Sequence, residues 1–157
     1  MKLTSKRKPA RENGDRPLRL LVPFTAGDLD ASVLDAAIRI ARFEHATLVP
    51  AYLLVVPLEF PPEAPLKGPV EVAMPLLEAV ELAASRAGVE VDARIERGRT
   101  PIHALQKLWD VEEFDRIVVP APTPGRPGFS AKELAWMLTN APSETLILRP
   151  SPEAHAA

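Results

Sequence analysis

Residues 120–134 read PAPTPGRPGFSAKEL, and four of them have the types and spacing for anion chemistry. Gly125 and Gly128 sit three apart and allow a backbone to approach a ligand closely. Arg126, between them, offers a forked and permanently charged donor to phosphate oxygens. Ser130 with Glu133 has the spacing of a helix start, where free N–H groups and the dipole favour an anion. The same loop holds Pro120, Pro122, Pro124 and Pro127, and proline has no N–H to give. A phosphate nest needs successive donors. Two readings therefore stand on these residues: a nucleotide loop, or a stiff turn that orients the last helix.

Other chemistry is poorly supported. His45, His103 and His155 are far apart, without metal-ligand spacing. No G-x-S-x-G nucleophile pattern occurs. Asp110, Glu112, Glu113 and Asp115 read as a solvated helix end and loop, and Trp109 and Trp136 as packing against a sheet. No catalytic residue and no metal site is expected. No basic patch is interleaved with aromatics, so nucleic acid is not expected as a partner.

These residues need a frame. The chain has 157 residues, the size of one domain with a sizeable core. It has no cysteine, which excludes disulfides and thiolate chemistry and suits a reducing compartment. Its net charge of −2 gives no global basic field. The longest apolar run, around AYLLVV, is too short to span a bilayer. No charged-then-apolar leader opens the chain. A cytoplasmic protein without a membrane span is expected.

Residues 1–17 carry six Lys or Arg against Glu12 and Asp15, and are expected to form a disordered basic tail. Peripheral contact of this tail with anionic lipid is the sharper alternative. A globular domain over 18–150 and a disordered tail over 151–157 complete the division. LRLLVPF (18–24) suits a buried strand. A helix follows, with Ser32 and Asp35 in capping-box-like spacing and a stripe of Leu34, Ala37, Ile38 and Ala41. ATLVPAYLLVV (46–56) reads as a strand covered on both faces. Residues 57–75, with six prolines, read as a surface connection. The helix it leads into has Leu76, Leu77, Val80, Ala83, Ala84 and Ala87 as its stripe and stops at Gly88.

VEVDARIE (89–96) alternates strictly, as an edge strand does. Thr100 caps and Pro101 opens a helix with the stripe Ile102, Leu105, Leu108 and Trp109. DRIVVP (115–120) is a short strand, Ser130 and Glu133 box a helix to about Asn140, and TLILRP (145–150) is the last strand. Alternating strands and helices imply an α/β fold: a five-stranded, doubly wound parallel sheet with helices on both faces. The order 3-2-1-4-5 puts the alternating strand at one edge. Such sheets bind ligands at the carboxyl ends of the strands, at the switch point. That point lies between the first and fourth strands, under PAPTPGRPGFS. At the other edge Leu146, Ile147 and Leu148 form a short apolar strand that invites pairing with a second copy.

Four stretches in this order and spacing resemble the universal stress protein family over about residues 18–150: LLVPFTAGD, GVEVDARIERGRTPIHAL, FDRIVVPAP and NAPSETLILRP. The resemblance implies a homodimer and a site for ATP or AMP. Nucleotide-binding members carry an aspartate at the end of strand 1 and a G-x2-G-x9-G-[ST] loop after strand 4. Here Thr25 takes the aspartate position, Gly125 and Gly128 reproduce G-x2-G, and Ala131-Lys132 falls on the final pair. The motif is thus degenerate. AGDLDA (26–31) is a fainter echo of the S-G-G-x-D-S loop of adenylate-forming pyrophosphatases. Asp28 would repel pyrophosphate there, and Asp28 and Asp30 fit better as residues of a helix N-terminus.

The expected function is that of a non-enzymatic accessory or regulatory protein in stress or metabolism. It would act by dimerisation and binding of an unidentified protein partner. No cofactor is required; ATP or AMP would be held weakly or not at all by Thr25, Gly125, Arg126, Gly128 and Ser130. The alternatives are an ATP- or AMP-binding stress protein and a regulatory module of a membrane transporter.

Overall fold

The structure is a computed structural model and describes residues 16–25, 29–126 and 128–149. Residues 1–15 of the expected basic tail, the expected tail 151–157 with His155, Asp28 and Pro127 lie outside the described residues, whereas Arg16, at the end of the expected basic tail, is described and pairs with Glu113. Five parallel strands run in the order β3-β2-β1-β4-β5: β1 Leu18–Phe24, β2 Ala46–Val55, β3 Arg94–Gly98, β4 Arg116–Pro120 and β5 Glu144–Leu148. Between them run α1 Ala31–Glu44, α2 Lys67–Arg86, α3 Pro101–Val111 and α4 Ala131–Asn140.

The pleat sorts the core into two layers. Leu21, Val49, Ala51, Leu53, Ile117 and Val119 face α3 and α4, where Leu105, Leu108, Leu134 and Met137 meet them. Leu20, Val22, Leu48 and Val118 face the other way, onto Val33, Ala37, Ile38 and Ala41 of α1 and Val80 and Ala84 of α2. Each buried Leu, Ile or Val is worth about 1.5–3 kcal/mol, which is why the three central strands read as near-continuous apolar runs.

Four expectations need correction. The capping box Ser32–Asp35 does not form: Asp30 is the N-cap of α1, and its carboxylate accepts from the Ser32 and Val33 N–H groups. Asp30 is two residues nearer the strand, where the free N–H groups point. Within the stripe Val33, rather than Leu34, is fully buried.

Secondly, α2 begins at Lys67, inside the stretch read as connection, and contains Pro75. Pro69 is tolerated because the first helical turn has spare N–H groups. The added turns are held by Ala73 and Leu77, which pack with Phe24, Tyr52 and Leu54.

Thirdly, the third strand is Arg94–Gly98, not 89–96; before it only the single bridge Leu48↔Val91 forms. Val89 turns back to donate to Ala84 O. Residues 91–96 are all half-buried, because the polar side of the alternation is covered by ion pairs rather than water.

Fourthly, the acidic run is not a solvated end. Glu112 bonds Arg19 at 2.9 Å and Arg94 at 2.7 Å, Asp115 accepts the Arg19 N–H, and Arg16 pairs with Glu113. The hydrogen bond that Arg94 donates to Glu112, ahead of the charge of Asp92, holds the Arg94 guanidinium above its ordinary pKa. This network ties the start of β1 to the end of α3 and to β3.

Candidate functional site

The central strands part where a ligand would enter. The β1–β2 ladder runs from Leu18↔Ala46 to Phe24↔Tyr52, whereas the β1–β4 ladder covers Leu20↔Arg116 and Leu21↔Ile117 and stops. Beyond that point a cleft of about 400 Å³ opens at the carboxyl ends of β1 and β4. Phe24, Leu29 and Phe129 give it an apolar floor. Phe24 is fixed edge-on against Tyr52, with ring centroids 5.4 Å apart, and burial raises the Tyr52 phenol pKa.

Thr25, Arg126, Gly128 and Ser130 line this cleft together, as expected of the switch point. Gly125 does not line it. It lies in the turn closed by Arg126 N–H to Thr123 O, with φ +76°, a conformation that suits glycine.

Two contacts decide what the cleft can do. Arg126 reaches across to Asp30, Nη1 to Oδ2 3.5 Å, so the one guanidinium that lines the cleft among the described residues already faces a carboxylate from the opposite wall. At the start of α4 the Ser130 hydroxyl accepts from Glu133 N–H at 3.1 Å, and the Glu133 carboxylate accepts from Ser130 N–H at 2.9 Å. The capping box expected from spacing is therefore real. It also places an internal negative charge where a phosphate would sit. Thr25 supplies a hydroxyl in place of a carboxylate, and Ala131 opens α4.

Of the other candidates, His45 is the C-cap of α1, at the amino end of the sheet. His103 is in the first turn of α3, at the opposite end, where its N–H bonds the Thr100 hydroxyl. Trp109 and Trp136 stack on one another at 5.8 Å against the core below α3 and α4. No three His, Cys, Asp or Glu among the described residues converge as a metal-ligand set. Asp30 is the site residue that the sequence argument assigned only to helix capping. Its position opposite the Gly125–Gly128 loop was the available signal.

No protein-family model and no curated protein matches the chain. Solved structures do. A universal stress protein from Lactobacillus plantarum superposes with TM-score 0.67 at 18% identity, over 87% of this chain and all of that one. A universal stress protein in complex with cAMP gives 0.65 at 20% identity, over 85% and 98% of the two chains. One from Arabidopsis thaliana with AMP bound gives 0.60 at 15%, over 87% and 94%. The described chain has the fold of a universal stress protein domain.

Proposed function

We propose that this domain is a universal-stress-type accessory or regulatory protein. It acts through self-association and partner binding rather than catalysis, and its nucleotide cleft is weak or lost. The observation that carries this reading is the pairing of the cleft's own charges: Arg126 with Asp30, and the α4 start with Glu133. A triphosphate would have to displace one carboxylate and approach another. Self-association is supported by the outer edge of β5, where Ile147 is 38% exposed in an apolar strand.

Calorimetry with ATP and AMP tests the reading. Weak or absent binding is the expected result. A micromolar or tighter constant for ATP, lost in Arg126→Ala, would overturn it. ATP hydrolysis at an enzymatic rate that disappears on altering Arg126 or Ser130 would refute the non-enzymatic part.

The second reading, a working nucleotide site, is favoured by the preserved cleft and by solved neighbours holding cAMP, dAMP and AMP. Native mass spectrometry of the purified protein separates the two, because a working site would carry its nucleotide through purification.

A further inference from the structure

A second cleft, of about 200 Å³, opens at the carboxyl ends of β2 and β3 and shares no lining residue with the first. Arg97, Arg99, His103 and Lys107 line it over Val56 and Gly98. Its volume equals roughly seven waters at about 30 Å³ each, enough for a tetrahedral oxyanion.

The two guanidiniums are held in place. Arg99 donates from Nη1 to the carbonyls of Pro57 at 2.6 Å and Phe60 at 2.8 Å, and Arg97 donates from Nη1 to Ala64 O. Each is pinned to the proline-rich loop by that one nitrogen. Nε and Nη2 of both keep their donors without a partner among the described residues. Carbonyl acceptors leave the guanidinium charge intact.

Lys107 Nζ bonds Arg97 O at 3.0 Å and pairs with Glu96 at 3.2 Å. Glu59 and Glu63, on the adjoining loop, form no ion pair with the cluster. Arg97, Arg99 and Lys107 against Glu96 leave an excess of two positive charges, in a chain whose net charge is −2. In the β1/β4 cleft, by contrast, the guanidinium is already faced by a carboxylate.

We propose that the β2/β3 cleft binds a phosphate monoester dianion through Arg97, Arg99 and Lys107, with the His103 ring as a further donor. Charge-assisted bonds from Arg forks suit phosphate oxygens, and guanidiniums already ordered lose little entropy on binding.

The test is amide NMR of the full chain at constant ionic strength, titrated with inorganic phosphate and glycerol 3-phosphate. A parallel arm uses phosphatidylcholine vesicles with and without phosphatidic acid, to tell a free ester from a lipid headgroup. Saturable shifts at Gly98, Arg99 and Ile102, or retention specific to phosphatidic acid, are expected. Arg97→Gln, which keeps an amide donor for Ala64 O, should weaken binding about tenfold or more. If that variant fails to fold, Lys107→Gln, at an exposed side chain, decides alone. No response to any probe, equal response to sodium chloride, or shifts confined to 128–133 and lost in Arg126→Ala would overturn the proposal.

Discussion

The two edges of the sheet are built from opposite chemistry. β3 reads RIERG and anchors its charged side chains within the chain: Arg94 on Asp92 and Glu112, Glu96 on Lys107, Arg97 by one nitrogen on Ala64 O. β5 reads ETLIL, with its apolar residues half-buried or exposed and one ion pair, Glu144 with Arg116, at its start. Charged residues engaged along an edge discourage another strand from docking, and an apolar edge does not. The difference separates the edges: β3 is locked to α3 and the 57–66 loop, and β5 presents the apolar edge proposed above for self-association.

The lock on β3 should break most dramatically at Gly98. An added Cβ there would collide with the Ala104 backbone nitrogen and lie 2.9 Å from Ala104 Cα, so α3 would have to lift off the strand. Gly98→Ala is expected to cost about 3 kcal/mol, the upper range for overpacking. For a domain of this size that lowers Tm by roughly 6–12 °C. Gly68→Ala is the control, since nothing lies within 4 Å of its added Cβ. Equal melting temperatures for the two variants would show that β3 and α3 are not locked.

Next in size is Glu112→Ala. It removes the shared acceptor of Arg19 and Arg94, whose side chains are 19% and 35% exposed. Leaving two partly desolvated charges short of a partner is expected to cost about 1–3 kcal/mol, measured by denaturant unfolding. A loss below about 0.5 kcal/mol, the range of an ordinary surface substitution, would mean that water replaces the carboxylate and that this edge is no better tied than β5.

What could be read beforehand divides along the same line. Local signals were legible. Thr100 before Pro101, Ser130 three residues before Glu133, and the strand–helix alternation are short-range patterns, and caps, box and the order 3-2-1-4-5 all formed. The network on the β3 side was not legible, because it joins residues 19, 92, 94 and 112 from three separate segments. The acids therefore read as solvated, and the alternating 89–96 as a half-exposed strand. Pro69 and Pro75 concealed the early start of α2, since buried Ala73 and Leu77 outweigh the lost hydrogen bond. Four of the five expected cleft residues line the cleft, yet its charge balance depended on Asp30, which sequence spacing gave only a capping role.

The open edge is tested by Ile147→Lys. A charge in the middle of β5 should convert a concentration-dependent dimer to a monomer in light scattering. The fold should be little changed, because the side chain is already 38% exposed. A wild type that stays monomeric at high micromolar concentration would remove the self-association proposed for β5. An association state unchanged by the lysine would move the interface elsewhere.

The smallest expected effect concerns the cleft midway between the edges. Asp30→Asn preserves the cap of α1, because asparagine caps as well as aspartate, and weakens the hold on Arg126. The Arg126 side chain is 54% exposed, so the pair is screened and worth about 0.2–1 kcal/mol. Releasing it should therefore raise ATP affinity by no more than about fivefold. Adding Glu133→Gln keeps the capping box, which accepts glutamine, while removing the charge at the α4 start. The two changes should act in the same direction, and Arg126→Ala should cancel the first. If both leave calorimetric binding of ATP unchanged and negligible, the carboxylates are not what closes the cleft. The obstacle then lies in the missing N–H groups of Pro122 and Pro124 and in the Cβ that Ala131 carries where a glycine would let a ligand approach, which no change of charge restores.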